Sequence, residues 1–380
     1  MINTVVDIGL LCLLLATTLL MMRSQSPLSI TILSSIYSLI ICALFVLLDA
    51  VDVAFTEAAV GAGISSVLFV AVIRHDDEPS NNKLGNNNLG NNKLSTDAPE
   101  LKSAWPSALS LCLGLALGIL LISGTADMPL YGDPAAAIHH YLAPRFLGQS
   151  ATEIGIPNVV TSVLASYRGY DTLGEVVVIF TAGMAVLLLL AFTPDQKIKS
   201  EAQGLSATKR RGKPPRLWSR RTPLIANPVL KTVLVRFIPI VILFALYVQF
   251  HGDYGPGGGF QAGVIFGVGL ITFGLLADSE KLQSVISERI VISGMAFGVL
   301  LYGSVGVAAL FFGGNFLDYS VLEYTVLEYS VLSESQTAGQ RLGIFLIELG
   351  VGITVASTMV SLFISFNRRH FNQSQDEFPR

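Results

Sequence analysis

Charge is scarce in this sequence. Asp, Glu, Lys and Arg make up only 13% of its 380 residues, about half the roughly 25% of a soluble globular domain. That deficit excludes most soluble enzyme classes, because a water-facing surface of this size needs more charge than the chain supplies. The net charge of −3 is too small and too dispersed to suggest a nucleic-acid partner. Cysteine is rare as well. Cys12, Cys42 and Cys112 each lie in an apolar run without CxxC spacing, so they read as small core residues rather than redox centres or ligands. The five histidines are scattered, so no metal site or cofactor is expected from sequence neighbours. Hydrolytic motifs are missing too: with no GxSxG, HExxH or paired-Asp span, the chain is not expected to be an enzyme.

Apolar residues are abundant, at 52% with a mean hydropathy of +0.61. A spanning helix needs about 20 mostly apolar residues. Nine stretches meet that standard, at 4–22, 28–48, 53–73, 105–123, 174–193, 229–250, 257–277, 288–312 and 341–366. The expectation is an all-α polytopic membrane protein with about nine transmembrane helices. No Lys or Arg precedes the first stretch, which carries Asp7 and leads directly into another span, so it reads as a retained helix rather than a signal peptide. The loop 194–228 holds Lys197, Lys199, Lys209, Arg210, Arg211, Lys213, Arg216, Arg220 and Arg221. Basic loops stay cytoplasmic, which makes the chain N-out and C-in.

Two tandem repeats of period five stand out. Residues 81–95 read NNKLG, NNNLG, NNKLS, and residues 319–333 read YSVLE, YTVLE, YSVLS. Neither period matches a solenoid or coiled coil, and both read as expansions tolerated in loops outside the membrane. The Asn-rich linker at 75–103 and the basic linker at 195–228 divide the chain into a three-span module (1–74), a two-span module with a long outer loop (104–194) and a four-span module (229–367), with a cytoplasmic tail at 368–380.

Polar residues inside spans are expensive, about 2.5–3.5 kcal/mol for a charge at the helix centre on insertion scales, and they mark candidate functional positions. Glu57 sits about one turn into the third span, followed by Ala58, Ala59, Gly61, Ala62 and Gly63, small residues that admit a close neighbour or a local π-bulge. It reads either as part of a proton path or as a headgroup-level cap. Arg168, Asp171 and Glu175 form a second cluster, read either as an orienting ion pair with a helix-entry carboxylate or as a hydrated site passing protons or Na+. The third is HGDYGPGGGFQAG at 251–263, where Pro and Gly force a tight turn, and His251 and Asp253 are either turn residues or cation contacts. Gly259, Gly263 and Gly267 recur every four residues and make a helix-packing face. Glu348, flanked by Gly343, Gly350 and Gly352, is the deepest carboxylate and departs furthest from a purely structural expectation.

HGDYGPGGGFQAG, the four-span arrangement and the IELGVG span together resemble the B-type component of the Mrp-type multisubunit Na+/H+ antiporter, over about 225–367. DAVDVAFTEAAVGAGISSVLFVAVI resembles the hydrogenase-type D module, also found at the C-terminal end of the large A-type antiporter component. NVVTSVLASYRGYDTLGEVVVIFTAGMAVLLLLA resembles the hydrogenase-type E module that follows it. The resemblance implies an accessory component of a monovalent cation (Na+ or K+)/proton antiporter complex in the bacterial inner membrane. Its partners would be the large complex I-like A- and D-type components, the small C-, E-, F- and G-type components, and the lipid bilayer. Lysines of the ion-translocating broken helices belong to those larger components, and this chain has no Lys in mid-membrane. The YSVLE repeat and the Asn-rich insertion depart from the family pattern. A competing expectation is a membrane-arm component of an energy-converting hydrogenase or similar redox pump, which shares the same modules. A stand-alone carrier is a third, opposed by the lack of an inverted repeat with paired broken helices.

Overall fold

The computed structural model describes residues 2–76, 107–130, 132–191, 228–277, 279–322 and 337–376. Every regular element among them is helical. The Asn-rich repeat, both linkers apart from their edges, the second repeat beyond Leu322 and residues 377–380 lie outside the described residues.

The chain divides into two compact units, residues 1–78 with 149–380, and residues 79–148. In the larger unit, α1 (Ile2–Arg23) packs on α2 (Pro27–Leu47). Ser26 caps α2 by accepting the Ser29 N–H, and Pro27 at the first helical position loses no hydrogen bond there. The third span is not a continuous α-helix. α3 (Val51–Glu57) runs into a π-helical segment, Ala58–Ile64, and continues as α4 (Ser65–Asp76). The sequence of small residues after Glu57 therefore takes the widened geometry rather than serving close packing alone. Both properties meet at Gly61, where an added Cβ would lie 2.2 Å from Ser38 Oγ of α2.

The smaller unit contains α5 (Ser107–Thr125), the stretch expected at 105–123. Among the described residues eight helical segments are long and apolar enough to cross a bilayer, and α5 contributes only the shorter apolar run Leu111–Thr125. Eight of the nine expected stretches thus qualify among the described residues, and the ninth is this shorter run. Its 19 residues nevertheless reach about 28 Å at 1.5 Å per residue, close to the roughly 30 Å hydrocarbon thickness.

The chain passes through α6 (Leu142–Glu153) and a short turn of helix at Val159–Thr161 into a second π-helical segment, Ser162–Tyr167, ahead of α7 (Gly169–Ala191). Then follow α8 (Pro228–His251), α9 (Gly259–Ala277), α10 (Glu288–Phe311) and α11 (Ala338–Asp376). α11 is the hub: it packs on α10, α9 and α7, while α8 backs α9. Lipid tails are as apolar as Leu, so helices associate in a membrane through close packing rather than through a hydrophobic gain. Glycines supply that closeness here. A Cβ at Gly298 of α10 would lie 2.3 Å from the Gly350 carbonyl oxygen of α11, and one at Gly350 would lie 2.6 Å from the Gly298 carbonyl oxygen. Fully buried Val355, Ile344, Met295 and Tyr302 fill the spaces beside that crossing, whereas Leu11, Leu15 and Leu19 of α1 stay exposed on an apolar outer face.

Candidate functional site

The turn 252–258 between α8 and α9 is built without side chains where it meets α11. Gly258 has φ +113°, a conformation that L-residues avoid. A Cβ there would lie 3.0 Å from Glu348 Oε1, and one on Gly252 would lie 3.3 Å from Glu348 Oε2. The Glu348 carboxylate thus projects from the N-terminal half of the membrane-spanning part of α11 onto a surface of bare glycine backbone. No hydrogen-bond donor and no cationic side chain reaches it among the described residues.

The turn is held in place from a distant part of the chain. The Asn158 side chain accepts the Val160 N–H as a helix cap, while the two protons of its Nδ2 go to the carbonyls of Gly252 (3.1 Å) and Gly255 (2.9 Å), with Asp52 Oδ1 3.4 Å away. Thr161 Oγ1 donates to the same Gly252 carbonyl at 2.7 Å. One asparagine joins α3, the entry to the second π-helical segment and the glycine turn.

Behind these contacts lies a cavity of about 250 Å³. Its polar lining comprises Glu348 of α11, Glu175 and Thr172 of α7, Asp52 and Thr56 of α3, Thr161, and Gln261 of α9, with apolar walls that include Val176 and Val351. Among the described residues no Lys, Arg or His lines it. Three carboxyl groups thus share one space whose low-dielectric walls strengthen any charge placed in it.

Of the residues singled out from sequence, Glu348 and Glu175 come together at this cavity. Glu57 does not line it. Its carboxylate lies towards Gly61 and Ser38, on the α2 side of the third span. Arg168 and Asp171 form an exposed ion pair at 2.6 Å, apart from the cavity lining. His251 stacks on Tyr247 with centroids 4.9 Å apart and packs against Gly255, also outside the lining. Asp253 is part of the turn: burial pushes its carboxyl above the usual carboxylate range, and the Arg341 guanidinium partly opposes that. Gly259, Gly263 and Gly267 all face α11, where added Cβ atoms would lie 2.0 Å from the Glu348 carbonyl oxygen, 2.6 Å from the Gly352 carbonyl oxygen and 3.3 Å from Met359 Cβ.

Sequence reasoning missed Asn158, Thr161, Thr56 and Gln261. Two carried a readable signal: Asn158 directly precedes an apolar run in the manner of a helix cap, and Gln261 is an amide inside an otherwise apolar span.

Comparison with known proteins bears on this geometry. Residues 229–361 match a family model described as a domain related to the MnhB subunit of Na+/H+ antiporter. Over 129 residues the chain is 33% identical to a putative antiporter subunit mnhB2 of Staphylococcus aureus (strain Newman), covering 89% of that protein. The chain belongs to the MnhB family. The MnhB region contains α8 to α11, and hence the glycine turn, Gln261 and Glu348. Residues 12–77 match the MbhD family and residues 115–204 the MbhE family, both named for components of MBH. A probable K+/H+ antiporter component of the A/B type from Rhizobium meliloti (strain 1021) is 25% identical over 276 residues, 71% of this chain, but the match spans only 26% of that longer protein. The fold resembles a chain in the structure of the Mrp complex from Dietzia sp. DQ12-45-1b, with a TM-score of 0.62 and 25% identity, over 94% of this chain and 34% of the other. Glu175, Asp52 and Asn158 come from outside the MnhB region, so the cavity is assembled by all three matched segments.

Proposed function

We propose that the chain is a membrane component of a multisubunit monovalent cation/proton antiporter, a transport component rather than an enzyme, and that the cavity beside Glu348 is its share of the ion path. The observation that carries this reading is the Glu348 carboxylate, which lies within a span, has no donor or cation among the described residues and opens onto a cavity with two further carboxylates. A purely structural carboxylate in that position would be paired, because an unpaired buried charge costs several kcal/mol. The named relatives support Na+ or K+ as the exchanged ion. The partners proposed are the large A- and D-type components and the small C-, E-, F- and G-type components, in a bacterial inner membrane. The module boundaries expected from sequence are retained: 1–74, 104–194 and 229–367, joined by cytoplasmic linkers, N-out and C-in.

Glu348→Gln tests the ion path. Gln keeps size and hydrogen-bonding capacity but cannot ionise. Everted-vesicle exchange, normalised to assembled complex and followed across pH, should fall to a small fraction of wild type. Wild-type exchange at every pH would make Glu348 structural. Orientation is tested separately: single cysteines introduced within 200–215 should be labelled by impermeant maleimide only after the membrane is opened, and labelling in intact cells would reverse the topology.

A second reading, a membrane-arm component of a redox-driven pump, is favoured by the matches to the MbhD and MbhE families. Mild detergent extraction separates the two. Co-purification of the large antiporter components supports the first, and a metal-containing redox protein in their place supports the second.

A further inference from the structure

We infer that Glu348 and Gln261 form a binding site for a single, partly hydrated monovalent alkali cation against the bare face of Gly258, with Thr56 as the positioning residue. The inference rests on the antiporter reading for its ligand, but its geometry stands independently.

One proton decides the orientation of the Gln261 amide. Thr56 Oγ1 donates to the Asp52 carbonyl oxygen at 2.9 Å, and a threonine hydroxyl has only one proton to give. Towards Gln261, 2.8 Å away, it can therefore only accept, so the amide must present Nε2 to Thr56. That fixes which end of the amide is left over. Gln261 is 8% exposed, it lines the cavity, and no donor reaches its Oε1 among the described residues. The oxygen of this buried side chain is thus left with open lone pairs on the cavity side, where a water or a cation can be held.

That oxygen converges with the unpaired carboxylate. The point where a Gly258 Cβ would stand is 3.0 Å from Glu348 Oε1 and 3.7 Å from Gln261 Oε1, so both oxygens border the space that the missing side chain leaves. Thr161 lines the same cavity, and its hydroxyl proton is already given to the Gly252 carbonyl. The converging atoms are all oxygens and present no proton, an arrangement that suits a hard cation and repels an anion. One carboxylate at the point of convergence matches a single positive charge, whereas Ca2+ gathers 6–8 oxygens that usually include several carboxylates. A water occupies about 30 Å³, so a cavity of about 250 Å³ holds an ion with several waters of its shell.

The test uses the complex containing the full chain, purified for 22Na+ binding and in everted vesicles for exchange. Gln261→Leu should raise half-saturating Na+ about tenfold, the factor carried by one neutral polar contact. Thr56→Val frees the amide to rotate and should raise it several-fold, while Thr56→Ser, which keeps the single proton and the acceptor, should restore the wild-type value. If Gln261→Leu fails to assemble, the Thr56 pair decides. A merely structural tie between α3 and α9 predicts lower yield for Thr56→Val with unchanged half-saturation, and that result overturns the site. Displacement of 22Na+ by Ca2+ more readily than by K+ overturns the choice of a monovalent ion. A wild-type complex that binds 22Na+, displaced more readily by K+ than by Ca2+, but exchanges nothing would sink the antiporter reading and leave the site standing.

Discussion

Replacing the glycines of α9 with alanine, one at a time, should produce a graded series set by the approach of α11. At Gly259 the new methyl would lie 2.0 Å from the Glu348 carbonyl oxygen, and that contact must open to about 3.4 Å before it becomes ordinary. The obstacle is backbone, which cannot rotate aside, so the two helices must separate just where the Glu348 side chain meets the turn. Overpacking of this kind costs about 1–3 kcal/mol, and this position belongs at or beyond the upper end. At Gly263 the clash is 2.6 Å with the Gly352 carbonyl oxygen and 2.9 Å with Val355 Cβ, worth about 1–2 kcal/mol. At Gly267 the nearest atom is Met359 Cβ at 3.3 Å, and a small shift relieves it. Against these costs stands the gain of about 1 kcal/mol from replacing Gly by Ala inside a helix. The expected order of melting midpoints is therefore Gly259→Ala lowest, Gly263→Ala intermediate, and Gly267→Ala at or slightly above wild type. Heating the detergent-solubilised complex and measuring the surviving peak by fluorescence-detected size exclusion gives these midpoints. A Gly259→Ala protein that melts with wild type, or a series in which Gly267→Ala melts lowest, would refute the packing geometry.

Two further perturbations probe the surroundings of the cavity. Tyr319→Phe removes the hydroxyl that donates to the Ala165 carbonyl in the second π-helical segment, leaving a buried acceptor unpaired at a cost of about 1–3 kcal/mol. Amide exchange within 160–168 should accelerate, and unchanged protection would disprove the anchoring role. Arg341→Gln removes the charge that holds the Asp253 carboxyl down, so burial raises it further. An acid raised on folding binds its proton more tightly in the native state, and stability is lost as pH climbs from the unfolded value of 3.8 towards the folded one. The variant should lose more of its melting midpoint over that climb than wild type does, and Asp253→Asn in the same background should remove the extra slope. Equal slopes would contradict the coupling.

The membrane class and the span positions were legible in sequence because each is a local property, a run of apolar residues. The small residues after Glu57 left a close neighbour and a π-bulge both open, and Ala58–Ile64 takes the bulge while Gly61 meets α2. What was not legible is pairing across the chain. Gln261 finds Thr56 at a separation of 205 residues, and Asn158 finds Gly252 at 94, with no periodicity linking either pair. Direction was equally hidden. Thr56 and Glu57 are neighbours in sequence, yet a helix turns about 100° per residue, so one lines the cavity while the other faces α2. A charge inside a span therefore announces that something polar happens there without saying on which side.

The buried tyrosine at the start of the second repeat gives that repeat an unexpected tolerance. Tyr319 and Leu322 are both buried, and Gly343 leaves the room that the tyrosine ring occupies. The units beginning at Tyr319 and Tyr324 read YSVLE and YTVLE, and the third begins again with tyrosine at Tyr329. Excising residues 319–323 would deliver Tyr324, Val326 and Leu327 to the places after Asp318 that Tyr319, Val321 and Leu322 now hold, with a threonine for a serine between them. Replication slippage in units of five is thus invisible to the anchor: the gene can gain or lose a copy while the same hydroxyl still reaches Ala165. Slippage by any other number of residues would put the wrong side chain into that socket.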